Sequence, residues 1–386
     1  MRELNQRAVL ERLRDFGSAT RPQIARDTGL SKPTVGQALL DLEQHKLVRT
    51  VGRSFAGQGR SAVVYEANPV AGHVLGIDIG RERIRVAVAD LAGGVVATLD
   101  ERNRCRSATA LVRTVRACAD RTLAEAKLRM DQVVTTVVGT PGVPDQQSNT
   151  LHRASNLPGW ERKGLLGELT ATLGTDVVVE NDANLCAVGE HRAGAARGTD
   201  VFVCVTVGTG IGMGIIVNGS LFRGAHGAAG EVAYLPYGWP TRGLPKAGSP
   251  PRQGMLESAA AARSVVEMAV ANGLPDVRTA KDVFRLAHEG DERAMKAVEE
   301  EAARLAFVVA SVAAVIDPAL IVLGGGIGTN TDLLQPPLEQ ALSRTIPTAP
   351  RIVKGELGET AVLTGAIATA LDTARHLVFE RRGQVG

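Results

Sequence analysis

Apolar residues recur at helical spacing from the start of the chain. Val9, Leu10, Leu13 and Phe16 fall on one face of a helix over 5–16, which Gly17 ends. A second short helix is predicted over 21–28, with Pro22 in its first turn and Ile24 and Ala25 facing inward. Gly29-Leu30 makes a tight turn. Ser31 is a good N-cap for a third helix, with Pro33 in its first turn. That helix directs Val35, Leu39, Leu42 and Leu47 to the core, and shows Lys32, Thr34, Gln37 and Ala38 on its opposite face. Two short strands follow, 49–53 and 63–66, around a tip rich in Gly and Arg. From residue 72 the pattern changes. Apolar strands are predicted at 74–79, 84–89, 93–99 and 133–139, with a helix over 109–128. Further strands are predicted at 201–207, 215–217 and 321–323. Helices are predicted near 254–272, 280–289, 292–315 and 364–378. Strands alternating with helices describe an α/β body.

Two short helices joined through a glycine turn describe a helix-turn-helix, and the two strands after it describe a β-wing. Such a module places the start of its third helix in the DNA major groove. Ser31, Lys32, Thr34 and Gln37 are then candidates for base or phosphate contact, and Arg53 and Arg60 reach phosphate or the minor groove from the wing. The same helices would also suit a small protein-interaction module. One DNA-binding module reads few base pairs, so a homodimer or homotetramer on a double-stranded operator is expected.

Charge supports a polyanion partner for the front end only. Residues 1–70 hold 11 Lys/Arg against 7 Asp/Glu, while the rest hold 33 against 34. Aromatic residues are 3% of the 386-residue chain, so the core is built from Val, Leu, Ile and Ala, and base stacking is not the main activity. Cys105, Cys118, Cys186 and Cys204 form no C-x-C or C-x-x-C pair, so neither a disulfide scaffold nor a cysteine zinc cluster is indicated. The start Met1-Arg2-Glu3 has no signal-peptide pattern, and no apolar run approaches the ~18 residues of a membrane span. A cytoplasmic protein with no membrane partner is expected.

Two glycine loops follow apolar strands in the body, Gly208-Thr209-Gly210 to Gly214 and Gly324-Gly325-Gly326 to Gly328. Each suits close backbone approach to phosphate, or merely a tight turn. Their order with other segments is more specific: Asp78-Ile-Gly80, then 139–145, Glu180-Asn-Asp-Ala-Asn184, 208–214, His226-Gly-Ala-Ala-Gly-Glu231 and 323–328. This order resembles the ROK family of repressors, open reading frames and sugar kinases, over residues 72–375. The module in front matches the repressor branch. The resemblance implies a two-lobed actin/hexokinase-like ATPase fold behind a winged helix-turn-helix. The expected domains are 1–68 for DNA binding, 72–182 for the first lobe and 183–386 for the second, with the last helix packing back on the first lobe.

The resemblance also implies a sugar pocket lined by Asn156, Asn181, Asp182, Glu231, Tyr234 and Glu257. In family kinases the Asp at position 182 is the catalytic base; a carboxylate there can equally just hold a sugar hydroxyl. The zinc motif is lost. Tyr234 stands where the family has its His, and Gly248, Pro250 and Met255 stand where it has cysteines, so no structural zinc is expected. At the first phosphate loop Arg81-Glu82 replaces the family's Gly-Thr, and Glu82 would repel a triphosphate. Asp78, Gly80 and the two glycine loops are therefore read as nucleotide-loop remnants. The expectation is a non-enzymatic regulator, most simply a repressor, that senses a sugar or sugar phosphate. ATP and Mg belong only to the alternative, an active sugar kinase carrying a DNA-binding domain. A sugar-blind regulator controlled by a protein partner is a third possibility.

Overall fold

The computed structural model describes residues 1–54, 61–145, 148–154, 157–238 and 254–383. The chain opens with α1 (Arg2–Phe16), β1 (Ala19–Thr20), α2 (Arg21–Thr28), α3 (Lys32–Gln44), β2 (Val48–Ser54) and β3 (Ala62–Ala67). Local chemistry sets these boundaries. The Thr20 amide donates to Gln23 Oε1 at 2.8 Å at the start of α2. Gly29 ends α2 in the left-handed conformation, φ 70°. Ser31 Oγ accepts from the Thr34 amide at 3.3 Å and caps α3. The three strands pair in the order β1-β3-β2.

Two expectations about facing, and one about the extent of α3, are corrected here. Phe16 is 76% exposed, because it closes α1 just before Gly17 and lies under the Arg12 guanidinium, 5.5 Å from the ring centroid. Ala38 is buried, turned to the core beside Leu39. Leu47 is buried too, but it follows α3 rather than lying on it.

The body begins with β4 (His73–Ile79), β5 (Arg83–Asp90), β6 (Val95–Arg102), α4 (Ala108–Glu125), β7 (Val133–Thr140), β8 (Val143–Asp145), β9 (Thr150–His152), α5 (Leu165–Leu173), β10 (Asp176–Asn181) and α6 (Asp182–Ala193). It continues with β11 (Phe202–Val207), β12 (Ile211–Val217), β13 (Ser220–Leu221), α7 (Met255–Ala259), α8 (Ala262–Ala271), α9 (Ala280–His288) and α10 (Glu292–Ile316). It ends with β14 (Leu320–Gly324), α11 (Gly325–Gly328), α12 (Thr331–Ser343), β15 (Arg351–Lys354) and α13 (Ala361–Gly383).

Two five-stranded sheets follow one path. Their orders are β10-β7-β4-β5-β6 and β13-β12-β11-β14-β15. In each, the first three strands form an antiparallel meander and the last two add in parallel beside the first. The central strands are buried on both faces. Val203, Val205 and Val207 face the cluster built by α8, α9, α10 and α12, while Phe202 and Cys204 face α6. Between the sheets, α6 packs on β11 and β12, α13 packs on β4 and β7, and the two helices pack on each other.

That helix pair is unusually close. A Cβ at Gly365 of α13 would overlap the Leu185 carbonyl oxygen of α6, and one at Gly189 of α6 would overlap the Ala361 carbonyl oxygen. α13 then runs back to the front module. Arg14 of α1 donates to the Arg375 carbonyl at 3.2 Å, and the Arg7 guanidinium lies 5.3 Å from the Phe379 ring centroid. Among the described residues no helix is long and apolar enough to cross a membrane.

Candidate functional site

A cleft of about 440 Å³ opens between the two sheets, where the strand ends and the start of α6 meet. Asp182 is the first residue of α6. Burial pushes its carboxyl up to about 6; the Ala183 amide opposes this and the charge of Glu231 adds to it. Asn181 is the helix cap. Its Oδ1 accepts from the Ala183 and Asn184 amides at 2.9 and 3.2 Å, and its Nδ2 donates to the Gly142 carbonyl at 3.0 Å. Asn181 thus lines the cleft with its polar atoms already engaged, which fixes the start of α6 beside β7 and β8.

Asp78, on β4, is the second carboxyl of the cleft. Burial pushes it up to about 7, helped by the nearby Asp182 charge and opposed by Arg85 at 3.3 Å. Arg85 also binds Asp100 at 3.4 Å and reaches Glu359, just before α13. Arg81 and Glu82, exposed in the β4–β5 turn, line the same wall with Gly80.

Glu231, Tyr234 and Glu257 line the opposite end, with Glu257 in the first turn of α7. Between them sits Arg153, which sequence reasoning missed. It follows β9 with a left-handed backbone, φ 62°, rare for a residue with a side chain. Its guanidinium donates to Glu231 Oε2 at 3.1 Å and lies 4.4 Å from the Tyr234 ring centroid. Arg153 and Tyr234 also border a wider cavity of about 790 Å³, lined by His152, Trp160, Arg162 and His226. Asn156 lies outside the described residues.

The glycine loops meet across the cleft from Asp182. Gly208, Thr209 and Gly210 join β11 to β12, and a Cβ at Gly208 would sit 3.8 Å from the Gly326 amide nitrogen. Gly325, at φ 78°, and Gly326 line the cleft. Gly324 ends β14 beneath them, over the sulfurs of Cys186 and Cys204. This half leaves room for phosphates. The opposite wall offers Glu82 and an Arg85 already held by three carboxylates, negative charge that would oppose a triphosphate. Among the described residues no three His, Cys, Asp or Glu side chains group to hold a metal ion. Met255 opens α7; Gly248 and Pro250 lie outside the described residues.

On the front module, Ser31 and Lys32 are exposed and Thr34 half-buried at the start of α3. The Ser31 and Thr34 hydroxyls bond each other at 2.8 Å. Gln37 is exposed one turn later. Arg53 reaches Ser61 Oγ at 3.3 Å across the β2–β3 hairpin, and Arg60 lies outside the described residues. Arg21, a cation not singled out from the sequence, lies against this face. A Cβ at Gly36 would be 3.2 Å from its guanidinium. The missing side chain at Gly36, inside an otherwise regular helix, was the available signal.

The ROK family model matches residues 74–373. A glucokinase of Halalkalibacterium halodurans is 30% identical over 284 residues, 69% of this chain and 84% of that protein. A xylose repressor of Caldicellulosiruptor bescii is 25% identical over 390 residues, 96% of both chains. A solved ROK family transcriptional regulator, a homologue of the E. coli MLC protein, superposes with a TM-score of 0.77 at 21% identity, covering 98% of this chain and 99% of that one. The body thus has the α/β fold of these proteins, and the chain belongs to the ROK family.

Proposed function

We propose that the protein is a DNA-binding transcription regulator of sugar metabolism, acting as a repressor, whose hold on its operator is set by a sugar or sugar phosphate in the cleft. The first 67 residues carry this reading. α2, the Gly29 turn and α3 form a helix-turn-helix, and β2–β3 form its wing. The xylose repressor spans these residues as well as the body, whereas the glucokinase matches only 69% of the chain. The operator would be bound by a homodimer or homotetramer in the cytoplasm, without zinc.

The cleft supports the sensor half of the proposal. Asp182, Glu231 and Glu257 offer acceptors, and Tyr234 and Arg153 offer donors, to a polyol. A ligand changes DNA binding only if it binds one arrangement of the lobes better than another. α13 is a direct path for that difference. It begins at the cleft with Ala361 and Val362 and meets α1 at Arg375 and Phe379, ~21–27 Å further along at 1.5 Å per residue. Arg14→Ala removes the bond to Arg375 and should leave operator affinity within a few-fold while shrinking the ligand's effect on it. Equal ligand effects in both proteins would exclude this path.

The proposal is tested by binding the full chain to DNA upstream of its own gene at fixed salt, with and without a panel of sugars and sugar phosphates. Specific binding altered by one of them is the expected result; no specific binding would sink the proposal. Asp182→Asn should weaken the effective ligand by roughly ten- to hundredfold, since it loses a charged acceptor. The wild-type protein should lose ligand affinity as pH falls through about 6, where Asp182 gains its proton.

One observation favours a second reading, a sugar kinase. An Asp182 held near 6 is suited to accept a proton from a sugar hydroxyl. ATP-dependent phosphorylation of a hexose, abolished by Asp182→Asn, would establish it.

A further inference from the structure

Asp41 is a buried carboxylate on α3, one turn beyond Gln37. Four donors converge on it: Arg2 Nε at 2.9 Å, Arg2 Nη2 at 2.8 Å, Gln6 Nε2 at 2.7 Å and Gln37 Nε2 at 3.0 Å. The Arg2 hydrogen bonds hold its carboxyl down at about 2, so it is ionised at any working pH. An ionised carboxylate only accepts hydrogen bonds. The Gln37 amide therefore has a fixed sense, with nitrogen turned toward Asp41 and the oxygen free.

Gln37 differs in this from its neighbours on the exposed face of α3. Ser31 and Thr34 are bonded to each other, Lys32 carries a point charge, and the next exposed side chain is the apolar Leu40. Gln37 alone among these presents an oriented acceptor beside its second amide hydrogen. In the major groove adenine offers the matching pair, a donor at N6 and an acceptor at N7. Guanine offers two acceptors, cytosine a donor only, and thymine an acceptor and a methyl group.

We propose that Gln37 reads one adenine in each operator half-site, and that Asp41 is the positioning residue that fixes the sense of its amide. This rests on the DNA-binding reading above. It is tested by selecting randomised duplexes with the full-length protein and sequencing those retained. The wild type should select a motif with one invariant A·T pair per half-site. Gln37→Ala should bind that duplex roughly ten- to hundredfold more weakly and become indifferent at that pair alone. Gln37→Glu, which cannot face Asp41 and only accepts, should shift the same position toward cytosine. Asp41→Asn should relax the same pair; a merely structural Asp41 would weaken every duplex alike. Should Asp41→Asn fail to fold, the exposed Gln37 variants still decide the question. An unchanged motif in Gln37→Ala overturns the proposal and leaves DNA binding intact. A wild type that selects no motif overturns DNA binding, and the proposal with it.

Discussion

Gly365→Ala should lower the melting temperature of the full chain by roughly 5–10 °C, or leave no folded protein to measure. Overpacking a well-packed core commonly costs about 1–3 kcal/mol, and more when the obstacle cannot rotate away. Here the obstacle is backbone: the new methyl group would overlap the Leu185 carbonyl oxygen and sit 3.0 Å from the Gly189 amide nitrogen. α6 and α13 would have to separate, and Asp182 at the head of α6 would move with them. Ligand binding should therefore fall even in whatever folds. Gly326→Ala is the control, because a Cβ there meets nothing within 4 Å. If Gly365→Ala melts with the wild type, the helix pair is not in contact as described.

Glu301→Gln should make the protein more stable at pH 8.5 by a few kcal/mol and change little at pH 5. Glu301 lies inside α10, fully buried, and neither carboxyl oxygen has a hydrogen-bond partner. Burial pushes its carboxyl up to about 8, with Arg304 only partly opposing. Between the unfolded value near 4.5 and about 8, the folded chain keeps a proton that the unfolded chain has released. Stability then falls as pH rises, by ~1.4 kcal/mol per unit, and the loss is complete above about 8. Glutamine cannot ionise, so its slope should vanish. Asp78 and Asp182 act with the same sign and remain in both proteins. Denaturant unfolding at the two pH values measures the difference. Parallel pH profiles would mean that Glu301 finds a partner or water.

The parts legible in the sequence were those set by local chemistry. Ser31, Pro33 and Gly29 mark the ends of α2 and α3, and short stretches rich in Val, Ile and Leu mark β4, β7 and β11. Elements lacking such marks went unread. β1 has two residues and β15 four, and α12 carries Pro336 and Pro337 inside it, against its own hydrogen-bond ladder. Helical periodicity put Phe16 inside and Ala38 outside because it counts spacing, not the neighbour each side chain meets. The cleft was legible as an ordered set of loops around Asp182. Its contacts were not: Arg85 meets Glu359 across 274 positions of chain, and Arg153 meets Glu231 across 78. No motif encodes such a pair, since only the folded chain brings its members together.

A single apolar cluster runs from Val9, Leu10, Leu13 and Leu39 of the front module to Val74, Leu371, Val378 and Phe379 of the body. The two halves are therefore not interchangeable parts joined by a tether. A body cut from its first 68 residues would present to water a face shaped for α1. A kinase body given this module by gene fusion would need a last helix whose face matches α1. Descent should then preserve α1 and the end of α13 as a matched couple, each changing only as the other permits, even though neither reaches the cleft.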